Sequence, residues 1–129
     1  MFDDAGLGTD RHIWGAELLA VAPDRFQRLA SFNGVPLPGG DAAIRRPARQ
    51  LIGRCCAAGI ELPEGLRKQA GISEEEGRIW ARLCASQVNA PITHAAGRLF
   101  DSFSAILGLA PHTTTYEGQP AIRLEANGT

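Results

Sequence analysis

Three groupings of glycine with a carboxylate stand out as chemistry-bearing. Asp3-Asp4-Ala5-Gly6-Leu7-Gly8 sets an acid before two glycines. Glycine lets backbone N–H groups approach a phosphate, and the carboxylate can orient Mg²⁺ or a water. Gly97 and Asp101 are four apart in Gly97-Arg98-Leu99-Phe100-Asp101, so on a helix they share a face. A bare glycine there permits close approach, and a carboxylate one turn on can hold a ribose diol. Tyr116-Glu117-Gly118 opens a helical pattern, where unpaired N–H groups and the dipole suit an anion. Each has a plainer reading: an acidic hairpin turn, a packing glycine beside a solvated aspartate, or a helix start. From the residues alone both stay open.

Other constellations are missing. No Walker loop, GxSxG elbow or pair of histidines at ligand spacing occurs. His12, His94 and His112 are far apart in sequence, each near a turn or helix start where a solvated imidazole is ordinary. Cys55, Cys56 and Cys84 are odd in number, and two are adjacent. That argues against a disulfide framework and a CxxC metal site, and for buried thiols in a reducing compartment.

The elements that must place these groups follow from pattern. Ile13–Val21 and Arg25–Phe32, either side of Ala22-Pro23-Asp24, predict an antiparallel hairpin with Phe26 and Phe32 on one face. Asp41 is an N-cap candidate, with Pro47 starting or bending the helix that carries Ala48, Leu51, Ile52, Cys55 and Gly59 until Pro63. Ser73 and Glu76 form a capping box before a stripe of Ile79, Trp80, Leu83, Cys84 and Val88. A further helix spans about Ala95 to Leu107, with Leu99, Phe100, Phe103, Ile106 and Leu107 inward and Gly108 ending it. Thr113–Tyr116 favours extended backbone. The last helix runs from about Glu117 to Ala126. The expected class is α+β: a β-hairpin packed with three to four helices. The chain divides into a glycine loop and hairpin (1–35) and a mainly helical part (36–129).

Composition bounds the function. The 129 residues make one domain, 44% hydrophobic and 21% charged. Gly 15 and Pro 8 give many turns without low complexity. Thirteen basic and 14 acidic residues leave a net charge of -1, which lacks the basic excess of a nucleic-acid partner. The acidic Met1-Phe2-Asp3-Asp4 start has no signal-peptide pattern, and no apolar run approaches the ~20 residues of a membrane span. A cytoplasmic protein is expected.

In order along the chain, GLGTDRHIWGAEL, PLPGGDAAIR, NAPITHAAGRLFD and TYEGQPAIRLEA resemble the HypF family of hydrogenase-maturation carbamoyltransferases. The likeness runs from Phe2 to about Ala126 and falls in the middle of the TsaD/Kae-like domain. It implies part of an actin-like (ASKHA) ATPase fold and contact with ATP and Mg²⁺. It also implies a role in which carbamoyl phosphate yields carbamoyl adenylate and the carbamoyl group passes to a cysteine of HypE. Residue by residue, Asp3 matches the loop aspartate beside phosphates and metal, and Gly6 and Gly8 match its glycines. Asp101 matches the aspartate of the GRLFD helix with Gly97 at its start, and Gly118 the glycine of the YEG turn, both at the nucleoside.

Departures accompany the likeness. Asp4 replaces a glycine and brings like charge toward phosphates. Arg46 stands where an acidic or polar residue is common, and His94-Ala95 replaces a Ser-Ser pair. The HHHAH metal motif and a GGVFQN-type segment lie outside this sequence, as do the acylphosphatase, zinc-finger and YrdC-like domains. The expectation is therefore one wall of a cleft, not catalytic alone, working with HypE or the remaining HypF segments. The other reading is a freestanding, non-enzymatic binding or structural module that self-associates as a homodimer across an uncovered edge.

Overall fold

The 13–21 region, expected as one strand, is cut in two. Glu17 is buried and its Oε2 accepts hydrogen bonds from the N–H groups of Gly15 (2.7 Å) and Ala16 (2.9 Å). Those donors are thereby lost to a ladder, and the chain passes from one sheet to another. The computed structural model describes residues 6–128. In it, β1 (Gly6–Leu7), β2 (Ile13–Trp14), β5 (Val35–Pro36) and β6 (Ile92–Thr93) form a small sheet in the order β1-β2-β6-β5. β2 and β6 run parallel and the outer pairs antiparallel. The expected hairpin is the second sheet, β3 (Glu17–Ala22) against β4 (Arg25–Ser31). An irregularity between Leu18 and Leu19 breaks its register, and Phe32 lies beyond the strand. The period-two pairing of Phe26 with Phe32 therefore does not describe it.

Six helices occur among the described residues: α1 (Asp41–Arg45), α2 (Ala48–Ala58), α3 (Glu64–Gln69), α4 (Glu74–Ser86), α5 (Ala96–Ile106) and α6 (Gln119–Asn127). Gly40, not Asp41, caps α1, and Asp41 sits inside the first turn. Pro47 precedes α2, where its missing N–H costs nothing. Gly59 closes α2 at φ 67°, a left-handed angle that glycine adopts without a Cβ clash. α4 opens with the reciprocal bonds of Ser73 and Glu76. Gly108, at φ 72°, ends α5, and Leu109 N–H bonds back to the Ser104 carbonyl. α3 has no buried residue and was not foreseen. The Thr113–Tyr116 segment is irregular rather than extended.

α2 is the central helix, packed by α4, α5 and β5. Its Gly53 lies so close to the Pro36 carbonyl that a Cβ would collide with it. Ala48, Ile52, Ile72 and Trp80 form the core, backed by Leu62, Ala70 and Ala81. Two stripes are narrower than predicted. On α4 Trp80 and Cys84 are buried and Ile79 is exposed, while Val88 lies beyond the helix and is exposed too. On α5 Phe100 and Phe103 are exposed, as is Leu107 just past its end, and Asp101, Ser102, Ser104 and Ala105 are buried. Cys55 and Cys84 are buried free thiols as expected, but Cys56 is exposed. Burial pushes the Cys84 thiol up to about 12, with neighbouring Cys56 adding to the rise. No helix among the described residues is long and apolar enough to cross a membrane.

Candidate functional site

The small sheet, α1, α5 and α6 enclose a cleft of about 790 Å³. That lies within the roughly 300–1,000 Å³ of small-molecule sites. Four of the predicted site residues meet there: Gly6 from β1, Gly97 and Asp101 from α5, and Gly118 before α6. Gly8 does not. It is outside the lining and packs under Trp14, whose indole would collide with any Cβ added at Gly8. Asp3 lies outside the described residues, as does Asp4.

Each wall is held by identifiable contacts. Thr93 accepts the Ala95 N–H on its Oγ1 (3.1 Å) and donates to the Ile13 carbonyl (3.3 Å), which ties the entry of α5 to β2. The loop before α6 is pinned to α1 by Thr114 N–H on the Arg45 carbonyl (2.7 Å). Gln119 Oε1 accepts from Thr115 N–H (2.9 Å), shaping the turn in which Gly118 takes φ 73°. Neither α5 nor α6 has a side-chain cap at its N-terminus, and both begin in the cleft lining. Arg45 and Arg98 share that lining with Asp41 and Glu117. Two uncapped helix starts beside two guanidinium groups form an environment suited to an anion.

Asp101 is 4% exposed. Its Oδ2 lies 2.9 Å from Arg98 Nη1, but with no hydrogen-bond geometry, and it has no hydrogen-bond partner among the described residues. Burial lifts its carboxyl to about 6, against the opposing pull of Arg98 and Arg54. A carboxylate oxygen buried without a donor, in a cleft wall, has unused capacity for ligand hydroxyls.

Sequence spacing missed a second cluster. His12 and His94, 82 residues apart, place Nδ1 and Nε2 3.0 Å from one another, because β2 and β6 are adjacent strands. His112 is exposed, as expected. The unusual Arg46 has a structural explanation. It is buried, bonds both Glu76 oxygens at 3.2 Å and the Gly71 carbonyl at 3.0 Å, and lies over Trp80.

The family described as "Carbamoyltransferase, Kae1-like Domain, second subdomain" matches residues 1–128, and the chain belongs to it. Carbamoyltransferase HypF of Rhodobacter capsulatus is 41% identical over 128 residues, 98% of this chain and 16% of that protein. A carbamoyltransferase HypF homolog of Cupriavidus necator is 39% identical over 124 residues, 96% of this chain and 31% of that protein. The crystal structure of full-length HypF in its phosphate- and nucleotide-bound form superposes with a TM-score of 0.83 at 29% identity. That superposition covers 96% of this chain and 19% of the other. HypF of T. kodakarensis gives 0.75 at 28% identity, over 97% and 17%. The chain thus spans under a third of the length of these relatives.

Proposed function

We propose that this chain forms the nucleotide-contacting wall of a HypF-type carbamoyltransferase domain. The carrying observation is the convergence of Gly6, Gly97, Asp101 and Gly118 on one cleft. In this reading Asp101 accepts hydrogen bonds from the ribose hydroxyls through Oδ2, which makes an ion pair but no hydrogen bond among the described residues. Gly97 and Gly118 leave room for the nucleoside, and the α5 and α6 N-termini with Arg45 and Arg98 offset phosphate charge. Bound ATP with Mg²⁺ would supply the adenylyl group that activates the carbamoyl moiety for transfer to HypE. Asp3 is the residue the resemblance assigns to the metal.

Turnover is proposed to need the remaining HypF segments. A single wall does not exclude water from a reactive acyl intermediate, so this chain alone binds without catalysing. Calorimetric titration of the chain with ATP and with ADP tests the reading, comparing wild type with Asp101→Ala. Saturable binding at millimolar or tighter affinity, weakened at least tenfold by the substitution, supports it. No heat with either nucleotide sinks it.

One feature supports the second reading, a self-associating module in the cytoplasm. Leu18, Val21, Phe26 and Leu29 of the β3–β4 hairpin are all more than half exposed, at 62%, 78%, 53% and 57%. A two-stranded sheet with apolar side chains in water recruits another surface. In this reading a homodimer seen by sedimentation reverts to monomer in Val21→Lys. The same hairpin seated on the remaining HypF segments gives a monomer that associates only with them.

A further inference from the structure

Asp10, His12 and His94 lie outside the cleft, and the proposed nucleotide contact uses none of them. We infer that these three side chains form a binding site for a divalent transition-metal ion of the zinc type. The donors are two imidazole nitrogens and one carboxylate oxygen, a set suited to zinc, nickel, copper or iron rather than magnesium or calcium. Their ligand atoms all lie within 4.8 Å of one another. A tetrahedral ion with bonds of roughly 2.0–2.1 Å sets its donors about 3.3 Å apart. His12 Nδ1 is 3.0 Å from His94 Nε2 and 3.8 Å from Asp10 Oδ2, distances that bracket that spacing.

The donors are held before any ion arrives. His94 is 9% exposed, and its Nδ1 lies 2.6 Å from the Phe32 carbonyl. A carbonyl oxygen can only accept, so Nδ1 carries the proton and Nε2 turns a lone pair toward His12. Orientation of a ligating imidazole by a carbonyl on its other nitrogen is the usual support of a metal-bound histidine. Asp10 Oδ1 accepts from His12 N–H (3.1 Å) and Trp14 Nε1 (2.9 Å), and Oδ2 from Arg28 Nη2 (2.9 Å). These bonds fix the carboxylate beside His12. The turn between them is closed by Gly8 N–H on the His12 carbonyl (2.8 Å), with Arg11 at φ 64°.

Without an ion, His12 Nδ1 must donate to His94 Nε2, and an incoming cation takes the place of that shared hydrogen as His12 moves its proton to Nε2. The Asp10 and His12 side chains are 31% and 40% exposed, so the ion has an entry and water can complete its shell. The site would join the loop before β2, the end of the hairpin and the entry to α5.

Cobalt(II) absorption and zinc calorimetry on the full chain test this, with His12→Ala and His94→Gln as variants. The glutamine retains a donor for the Phe32 carbonyl, and half-exposed His12 can be truncated without disturbing the core. The expected result is one Zn²⁺ per chain, visible d–d bands of four-coordinate cobalt, and affinity lowered by roughly tenfold or more in both variants. Zinc should also raise the melting temperature of wild type and leave that of His12→Ala unmoved. Absence of saturable binding, or equal affinity in His12→Ala, overturns the inference. So does a thiolate-to-cobalt charge-transfer band abolished by Cys56→Ser, because the ion would then sit on the cysteines.

Discussion

Arg98 Nη1 stands 2.9 Å from Asp101 Oδ2 across one turn of α5, yet makes no hydrogen bond to it. The guanidinium offsets the charge of the buried carboxylate while leaving Oδ2 without a hydrogen bond. Burial still dominates and lifts the group from 3.8 to about 6. Between those values the folded chain holds a proton that the unfolded chain has released. Asp101 therefore stabilises the fold fully below about pH 4, and that contribution is lost as pH rises through about 6. The ceiling is on the order of 3 kcal/mol. Denaturant midpoints of wild type and Asp101→Asn, taken from about pH 4 to pH 7, should show wild type losing ground to the variant as pH rises. A pH-independent difference would contradict the burial argument.

Gly97 separates binding from folding. A Cβ added there meets nothing within 4 Å, and the residue lies inside α5 on the cleft wall. Gly97→Ala should raise stability by about 0.5–1 kcal/mol, the ordinary helical preference for alanine. In the same variant the methyl intrudes on the ligand and nucleotide affinity should fall several-fold. Urea midpoints and calorimetry read the two effects independently, and unchanged affinity would remove Gly97 from the site.

Trp80 is the largest side chain in the core cluster and is 3% exposed. Arg49 and Arg46 lie over its ring at 4.8 and 5.5 Å. Trp80→Ala should cost roughly 3–5 kcal/mol, from lost transfer energy and a cavity between α2 and α4. Guanidinium unfolding measures this, and a loss under about 1 kcal/mol would show that the packing is not as described.

Glu76 has two duties and Ser73 one. Ser73→Ala removes a single cap bond and should cost about 1 kcal/mol. Glu76→Ala also strips both bonds from the buried Arg46 guanidinium. Its cost should be about 2 kcal/mol or more, even with the carboxylate partly exposed. Equal losses in the two variants would show that Arg46 gains little from Glu76.

What the sequence made legible was local. The Ser73–Glu76 box and Gly108 encode helix ends through bonds within a few residues, so pattern suffices to find them, whereas Gly59, expected within a helix reaching Pro63, ends α2 four residues earlier. The hairpin was found too, but not the cut at Gly15-Ala16, which depends on a buried carboxylate folding back onto its own backbone. The inward face of α5 was read from its phenylalanines. Its actual buried side carries Asp101 and Ser102, with Arg54 Nε 2.9 Å from Ser102 Oγ. Polar pairing there overrode hydrophobic spacing. Four cleft residues are legible because glycines near element ends and an aspartate one helical turn on carry their own signal, and the family likeness orders them. Arg45 and the α5 N-terminus were missed, since their place in the cleft depends on which helices meet. His12 and His94 were read as separate solvated groups, because sequence separation says nothing about parallel neighbouring strands.

Amide mapping with ADP tests the central claim most directly, because glycine N–H resonances are well resolved and respond to weak binding. Titrating isotope-labelled chain with ADP should shift the amides of Gly6, Gly97 and Gly118 together along one saturation curve, with those of the β3–β4 hairpin unmoved. Shifts confined to the hairpin, or none at millimolar ADP, would contradict a nucleotide wall built from these residues.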